Sequence, residues 1–259
     1  MEKIYTKESL IQELKNIRNK GWIENLRNNN NGAVGNTLED LLGIEENNLP
    51  IPNAAEWELK AQLKNTTSLL TLSHIEPSPT ACKIVSRLLL PNFGWKHKKA
   101  GINYPKDEKS FRQTISTKII SDRGFSVNVN HIDKKIEINF DINHISEKHN
   151  DWKQYLLDNN ATLNPKPYFG FDDIFHKIAS KLHNCFYVEA ERKIENKKVY
   201  FSYQKILMLK NVSVNKFIKL LEEGNIYIDF DARTGHNHGT KFRMPRKYFP
   251  ALYEYCIEI

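Results

Sequence analysis

The sequence predicts an α/β (α+β) protein in which helices and strands are interleaved along a single chain. Apolar residues recur at helical spacing over residues 7–19, 172–183 and 214–222, whereas residues 125–130 and 135–140 alternate between apolar and polar. The 259 residues allow one large or two small domains, and 40% of them are hydrophobic, so we expect a sizeable core. No internal repeat and no Pro-, Gly- or Ser-rich linker divides the chain.

The remaining elements follow from the same patterns, taken in chain order. They are a short helix over 32–43, strands at 56–63 and 68–73, a helical segment at 80–90, paired strands at 185–191 and 198–203, and strands at 226–231 and 240–244. The short helix is amphipathic, with Asn36 or Thr37 as its N-cap and Gly43 at its end. Glu39 lies beside the apolar face of this helix, where it could point toward the next strand or into solvent.

The composition argues against several kinds of protein and favours a polyanionic partner. Three well separated cysteines without a C-x-x-C pair argue against a structural zinc site and against a disulfide framework. The sequence begins without an apolar signal region, and no apolar run approaches the length of a membrane span, so we expect a cytoplasmic protein without membrane segments. A net charge of +7 and a pI near 9.1 favour a polyanionic partner.

A carboxylate and a lysine two residues apart form the first candidate site. Glu58 and Lys60 project from the same face of the strand predicted over 56–63. A carboxylate there can hold Mg²⁺, and the ammonium can orient an attacking water and stabilise charge on a phosphate. With Pro52 and Asn53 the segment reads P-N-x4-E-x-K, which would be the P-D…(D/E)-x-K signature of metal-dependent DNA-cleaving enzymes if residue 53 were Asp.

The amide at position 53 removes one negative charge from this site. Asn53 offers a carbonyl oxygen, which binds a hard cation more weakly than a carboxylate does. Three explanations stay open: Asn53 was introduced in place of Asp to trap uncleaved DNA, Glu56 takes over the role, or the chain is a natural binder that does not cut. Under the first explanation, restoring Asp raises cleavage by orders of magnitude.

A second candidate site is a cluster of polar residues on a strand end, a loop and a returning strand. Its members are Asp231, Arg233, His236, His238, Thr240 and Arg243. Two histidines could bind a metal, but without a cysteine they rarely make a zinc site. Base reading fits better, because Arg forks match guanine O6 and N7 and Asp accepts from cytosine N4. An ordinary polar hairpin is the alternative.

Two further features extend this interpretation. Residues 94–109 combine several lysines with Trp95 and Tyr104, which suits contacts to phosphates and grooves, although a solvated loop has the same composition. His74 follows the strand predicted over 68–73 and is either another base-contacting residue or a structural histidine.

Several segments resemble the MvaI/BcnI group of type II restriction endonucleases, which share a fold with the mismatch-repair nicking enzyme MutH. They are the glycine-flanked helix G-x-x-G-x-x-L-E-D-L-L-G at 32–43, the P-N-x4-E-x-K segment, the stretch at 193–200 and the H-G-T-x-F-R element at 238–243. The similarity runs from about residue 20 to 245, so it covers nearly the whole chain.

The resemblance implies a MutH-like PD-(D/E)XK core, a mixed sheet flanked by helices, with a recognition lobe. It implies Mg²⁺-dependent hydrolysis of DNA phosphodiesters at a short G/C-containing site of the CCWGG, CCSGG or CCNGG kind. The enzyme would be a monomer that nicks one strand per encounter. Carried over to this chain are Glu58 as metal ligand, Lys60 as the water-orienting cation, Glu39 as an accessory carboxylate and Asn53 in the place of the metal-binding Asp.

The resemblance also implies an organisation and partners. The single nuclease chain of 1–259 would have its catalytic lobe roughly at 1–90 with parts of 110–200, and its recognition lobe roughly at 205–259. Double-stranded DNA is the expected partner, together with a cognate DNA methyltransferase. Two rivals on the same scaffold are a non-cleaving, sequence-specific DNA-binding protein and a MutH-type nickase that a partner protein activates.

Overall fold

The computed structural model describes residues 5–27, 30, 32–44 and 56–259. The helices are α1 (Lys7–Asn19), α2 (Ala33–Leu42), α3 (Leu90–Phe93), α4 (Asn150–Asp158), α5 (Phe171–Leu182) and α6 (Val214–Glu222). The strands are β1 (Trp22–Glu24), β2 (Trp57–Leu63), β3 (Leu69–His74), β4 (Trp95–Lys96), β5 (Lys109–Ile115), β6 (Arg123–Asn130), β7 (Lys135–Ile145), β8 (Tyr168–Gly170), β9 (Asn184–Glu195), β10 (Lys198–Val212), β11 (Tyr227–Arg233), β12 (His236–Asn237), β13 (Lys241–Pro245) and β14 (Tyr253–Glu258).

Elements with strong local periodicity are confirmed. Helices α1 and α6 have the bounds that their apolar spacing predicts. The hairpin of β6 and β7 is also confirmed, with Phe125 opposite Phe140 and Asn130 opposite Lys135. In each case the pattern is complete within about fifteen residues, so it does not depend on contacts with distant parts of the chain.

The predicted start of α2 is wrong, although its predicted end is confirmed. The helix begins after Gly32, and no side chain caps it. The hydroxyl of Thr37 donates instead to the carbonyl oxygen of Ala33, 2.7 Å away, inside the helix. Gly43 ends the helix in a left-handed conformation with φ of 67°, which favours glycine.

The helical segment predicted over 80–90 is present as three short pieces. A 3-10 turn at Thr80–Cys82 and a π-helix at Val85–Leu89 precede α3. Pro91 lacks the N–H group that one continuous α-helix would need at this point. The sequence therefore supports helical backbone there but not a single regular helix.

Contacts between Cα atoms divide the chain into two compact units. The first comprises Met1–Ser68, Lys177–Ser213 and Pro250–Ile259, and the second comprises Leu69–His176 and Val214–Phe249. These bounds differ from those of the two lobes expected from the sequence, because each unit is assembled from segments that are far apart in the chain. In the described part of the chain, no helix is long and apolar enough to cross a membrane.

The first unit contains a mixed sheet with the strand order β1-β10-β9-β2, and β14 also pairs with β10. Only the β2–β9 pair among these is parallel; the others run antiparallel. Helices α1 and α2 cover this sheet through one apolar cluster that includes Leu14, Leu38 and Phe186. A hydrogen bond links the sheet to α2, because the buried hydroxyl of Tyr203 on β10 donates to the carbonyl oxygen of Val34 at 2.8 Å.

The second unit contains a sheet with the order β3-β13-β11-β5-β4, on which β12 pairs with β11, and a smaller sheet β6-β7-β8. Its core is rich in phenylalanine. Phe111 makes edge contacts with Phe125 and with Phe230, each with ring centroids 5.4 Å apart, and Phe242 packs on Phe169 and Phe217. This packing fixes one face of β11 inward, so its alternate side chains point outward.

Candidate functional site

The E-x-K pair of the first candidate site lies on β2 of the first unit. Glu58 is 1% exposed and Lys60 is partly exposed, and the Lys60 Nζ lies 2.7 Å from the Glu58 Oε1. The expected placement of both side chains on one face of a strand therefore brings them into direct contact. Lys181 on α5 adds a second cation, with its Nζ 3.8 Å from the same oxygen.

The other oxygen of Glu58, Oε2, is buried without a hydrogen bond from the part of the chain that the structure describes. A buried carboxylate oxygen without a partner is costly in a folded protein unless something binds it. An oxygen-preferring dication such as Mg²⁺ fits this atom, so Glu58 can act as a metal ligand.

The residue of β9 that lies opposite Glu58 is not acidic. Cys185 on β9 pairs with Glu58 in the parallel register and is fully buried. Burial raises the pKa of the Cys185 thiol and also that of the Tyr253 hydroxyl, which interacts with it. Both groups therefore stay protonated, and so uncharged, near neutral pH.

The other carboxylates proposed for this site take different positions. Glu39 is half-buried on α2, which packs against β2, and Glu56 is exposed in the turn before β2. Asn53 and Pro52 lie outside the described residues. Among the described residues, no group of three or more His, Cys, Asp and Glu side chains is arranged to hold a metal ion.

The second candidate site lies on the outer face of the large sheet in the second unit. Ile228, Phe230 and Ala232 of β11 point into the core, so Asp229, Asp231 and Arg233 alternate with them on the opposite face. The strand predicted over 226–231 continues two residues further, so Arg233, expected at the start of the loop, lies on β11. The face carries both signs of charge, in pairs that link neighbouring strands.

Arg112 is the first of these pairing residues, and the sequence analysis did not identify it. It lies on β5 directly opposite Asp231, and its Nε donates to the Asp231 Oδ1 at 2.6 Å. Burial by itself would raise the pKa of Asp231, but the hydrogen bond and charge of Arg112, with the charges of His238 and Lys241, lower it below its usual range. Asp231 is therefore fully ionised at neutral pH.

Arg233 is held by two groups that the sequence analysis did not connect with it. Its Nη1 donates to the Oε1 of Glu108 at 3.1 Å, and its guanidinium lies over the ring of Tyr104, 4.8 Å from the centroid. Tyr104 in turn contacts His97 edge-on. The basic segment at 94–109 thus supplies a buried carboxylate and an aromatic ring that orient this arginine.

The histidines of the cluster lie on the exposed connection between β11 and β13, with His236 in the short strand β12. His236 and His238 contact one another, with Nε2 and Nδ1 3.3 Å apart, and the backbone N–H of His238 donates to the carbonyl oxygen of Asp231. Gly239 follows with φ of 84°, and a Cβ added there would lie 3.4 Å from the ring of His74. His74 is therefore brought next to this turn, as its position opposite Lys241 in the β3–β13 pairing also requires.

Thr240 and Arg243 are more enclosed than their neighbours. Thr240 is only 1% exposed, and its backbone N–H donates to the carboxylate of Glu76 at 2.9 Å. Arg243 donates to Asp229 at 3.0 Å and to the carbonyl oxygen of Leu69 at 3.2 Å. Both residues support the turn and the strands around it.

Comparison with known proteins gives the family to which a chain with these two candidate sites belongs. The family model described as "MvaI/BcnI restriction endonuclease family" matches residues 11–253. The chain belongs to the MvaI/BcnI restriction endonuclease family. The resemblance seen in the sequence is thereby confirmed, and as a member of this family the chain is a type II site-specific deoxyribonuclease.

Solved structures of a restriction endonuclease show the same fold. The structure titled "Restriction endonuclease MvaI-cognate DNA substrate complex" matches with a TM-score of 0.76 and 22% identity, over 98% of this chain and 99% of that one. "Restriction endonuclease MvaI in the absence of DNA" matches with a TM-score of 0.57 and 22% identity, over all of both chains. The predicted fold class, a mixed sheet flanked by helices, is confirmed. No curated protein matches the sequence.

Proposed function

We propose that this member of the family hydrolyses phosphodiesters of double-stranded DNA at a short, G/C-containing site of the CCWGG, CCSGG or CCNGG kind. The reaction would depend on Mg²⁺, and a monomer would nick the two strands one after the other. The single observation that carries this proposal is the buried carboxylate of Glu58, with one oxygen against Lys60 and the other without a hydrogen bond from any described residue.

The residues around Glu58 have separate roles in this proposal. Glu58 would hold the metal, with Asn53, Glu56 or Glu39 as candidates for a second oxygen ligand. When bound, Mg²⁺ would lower the pKa of water and neutralise charge on the scissile phosphate. Lys60, held 2.7 Å from Glu58, orients the attacking water and stabilises negative charge as it develops on the phosphate.

Sequence recognition is assigned to the outer face of the large sheet in the second unit. Arg233 is oriented by Glu108 and Tyr104, so its remaining donors can match the acceptors of a guanine. His236 and His238 are exposed beside it and can contact base edges, with His74 behind the turn. Thr240 and Arg243 then act by holding the turn and strands in place.

The basic character of the chain supports a DNA partner. Exposed lysines at 96, 98, 99 and 106 surround the segment that orients Arg233, and such contacts to phosphates fix register without reading sequence. The structure titled as a cognate DNA substrate complex shows that a protein of this fold binds DNA. Affinity should therefore fall steeply with salt, because binding releases counterions.

A cytoplasmic enzyme that cuts short DNA sites also threatens the DNA of its own cell. We therefore propose a cognate methyltransferase that modifies the same site. Methylation of a cytosine or adenine at the edge facing the recognition residues would block binding by adding bulk there. The prediction is that a methylated duplex is cut more slowly than its unmethylated copy.

The proposal is tested by incubating the chain and its Asn53→Asp form with plasmid DNA, with and without Mg²⁺. Discrete fragments that require the metal are expected, with far higher activity for the Asn53→Asp form. Glu58→Gln in the same background is the matched control and should give none. Metal-dependent nicking that requires an added protein would indicate a MutH-type nickase instead.

The second candidate function is sequence-specific DNA binding without cleavage, and Asn53 favours it because it weakens the metal site. A binder of this kind would retain steep salt dependence and select a short site from random duplexes. If neither form cuts any plasmid while both select the same sequence, binding without cleavage is the function.

A further inference from the structure

Among the described residues, three arginine–carboxylate pairs lie on the outer face of the large sheet, and they differ in how far the arginine is exposed. In the Arg233–Glu108 pair the side chains are 33% and 5% exposed, and Arg243 is 30% exposed beside Asp229. Arg112 is 52% exposed beside Asp231 at 21%. Arg112 is therefore the arginine of this face that is most open to a ligand.

The hydrogen bonding of Arg112 leaves its fork available. Asp231 engages the Nε of Arg112, and across the described residues no hydrogen bond holds its two terminal nitrogens. The bidentate contact of arginine with guanine O6 and N7 uses donors in a fixed, planar arrangement. A carboxylate that accepts a hydrogen bond from Nε restricts the rotation of the guanidinium. The two terminal nitrogens are then already oriented, so less side-chain entropy is lost when they bind a base.

The surroundings of the pair are also open and polar. A cavity of about 280 Å³ lies over this part of the sheet, lined by Arg112, Gln113, Thr114, Asp229, Phe230 and Asp231. A smaller one of about 60 Å³ connects Arg112 and Asp231 with Arg233 and His238. Arg112 thus shares its surroundings with the proposed base-reading residues and is not an isolated surface charge.

We propose that Arg112 is a specificity-determining residue that reads one guanine of the site, and that Asp231 is its positioning residue. This inference rests on the proposed function and changes one assignment within it. Asp231 would act through Arg112, whereas sequence reasoning alone makes it a direct acceptor from cytosine. The backbone of β11 and β5 holds the two residues opposite each other, so the pair is present before DNA binds.

Selection of binding sites from a random duplex pool, in EDTA to prevent cleavage, tests this proposal. The wild-type chain should select a short G/C-containing site. Arg112→Ala should lose discrimination at one G·C pair by about 10- to 100-fold and keep it at the others. Arg112→Lys should lose discrimination at the same base pair, because an ammonium cannot make the planar double contact.

The role of Asp231 is separated by a double-mutant comparison. Asp231→Ala alone should weaken discrimination at that same base pair, and it should add nothing in the Arg112→Ala background, because it acts only through the arginine. A further loss at the partner cytosine in the double mutant would show that Asp231 reads DNA directly. Thermal unfolding of each variant checks that the fold is retained.

Arg27→Ala is the matched control, because Arg27 forms a comparable surface pair with Asp40 in the first unit. It should leave the selected sequence unchanged. If Arg112→Ala weakens all sequences equally and flattens the salt dependence, Arg112 contacts phosphate and the inference is wrong. If the wild-type chain selects no sequence at all, the proposed function fails together with this inference.

Discussion

Replacing Glu58 by Gln is expected to abolish metal-dependent cleavage while changing the free energy of unfolding by less than about 1 kcal/mol. Replacing its partner Lys60 by Met is expected to destabilise the fold. Together the two results distinguish a carboxylate that serves catalysis from one that serves stability. If the carboxylate serves function, replacing it leaves the free energy of unfolding nearly unchanged. If it serves stability, replacing it lowers the free energy of unfolding.

The magnitudes follow from the geometry around Glu58. With an effective dielectric constant of about 20, Coulomb's law gives about 6 kcal/mol of attraction for the 2.7 Å contact with Lys60 and about 4 kcal/mol for the 3.8 Å contact with Lys181. Desolvation opposes this by several kcal/mol per ion, for the carboxylate that is 1% exposed and, less completely, for the two lysines at 21% and 27% exposure. Because the two contributions nearly cancel, a neutral side chain of the same shape should cost little.

Lys60→Met removes the stronger contact but leaves the buried charge in place. The carboxylate then depends on Lys181 alone, at the longer distance. Loss of one partner from a buried pair costs about 3–5 kcal/mol, and because Lys60 is itself 21% exposed and screened by solvent, we expect about 3 kcal/mol.

Urea unfolding of the wild-type chain and both variants, compared at equal m values, measures these differences. Adding Mg²⁺ should stabilise the wild-type chain, by about 2.7 kcal/mol at a hundred times the dissociation constant, and should not stabilise Glu58→Gln. Marked destabilisation by Glu58→Gln, with Lys60→Met neutral and Mg²⁺ without effect, would refute the reasoning, because Glu58 would then be a structural ion-pair partner.

Three further predictions concern the outer face of the large sheet. Thr240→Val should leave DNA affinity unchanged and raise stability by up to about 1 kcal/mol, since the buried hydroxyl has no hydrogen-bond partner among the described residues; a tenfold loss of affinity would contradict this. Glu108→Gln should lower the ratio of specific to non-specific DNA affinity by about tenfold, because Arg233 loses the charge that orients it; an unchanged ratio in competition binding would argue against it. The lowered pKa of Asp231 means that its charged form stabilises the fold, so this contribution is complete above the usual pKa of 3.8 and is lost as the pH falls through the lowered value. The stability difference between the wild-type chain and Asp231→Asn, from urea unfolding at several pH values, should therefore be constant near neutrality and shrink in acid, and a difference that grows in acid would contradict the assignment.

The parts of the fold that the sequence predicted are those whose signal is local. The spacing within α1 and the alternation in β6 and β7 are complete within short windows. The i, i+2 relation of Glu58 and Lys60 is of the same kind, because any strand places such residues on one face. Contact between these two side chains therefore needed no knowledge of the rest of the chain.

Strand β5 and its residue Arg112 could not be found in this way. The segment Lys109–Ile115 carries polar side chains at its outward positions and follows a basic stretch, so its pattern resembles a loop. Its partner Asp231 is 119 residues away, and only the pairing of β5 with β11 brings the two together. One sequence contains no signal for such a pairing.

Partners of the proposed site residues were missed for the same reason. Lys181 on α5 reaches Glu58 on β2 from a distant part of the chain, and Glu108 reaches Arg233 across 125 residues. The helix cap predicted at Asn36 or Thr37 was wrong, because both residues lie inside the helix and the Thr37 hydroxyl donates to a backbone carbonyl there. Residue types and local spacing predict the chemistry of the site. Which residues pair with the site residues depends on tertiary contacts.

The most direct test of the account compares cleavage of one selected duplex by the Asn53→Asp form and by the same form carrying Glu58→Gln. The account predicts Mg²⁺-dependent strand breaks at a fixed position in the first and none in the second, with equal binding of the duplex by both. Cleavage that survives Glu58→Gln, at the same position and with the same dependence on Mg²⁺, would show that the catalytic centre lies elsewhere in the chain.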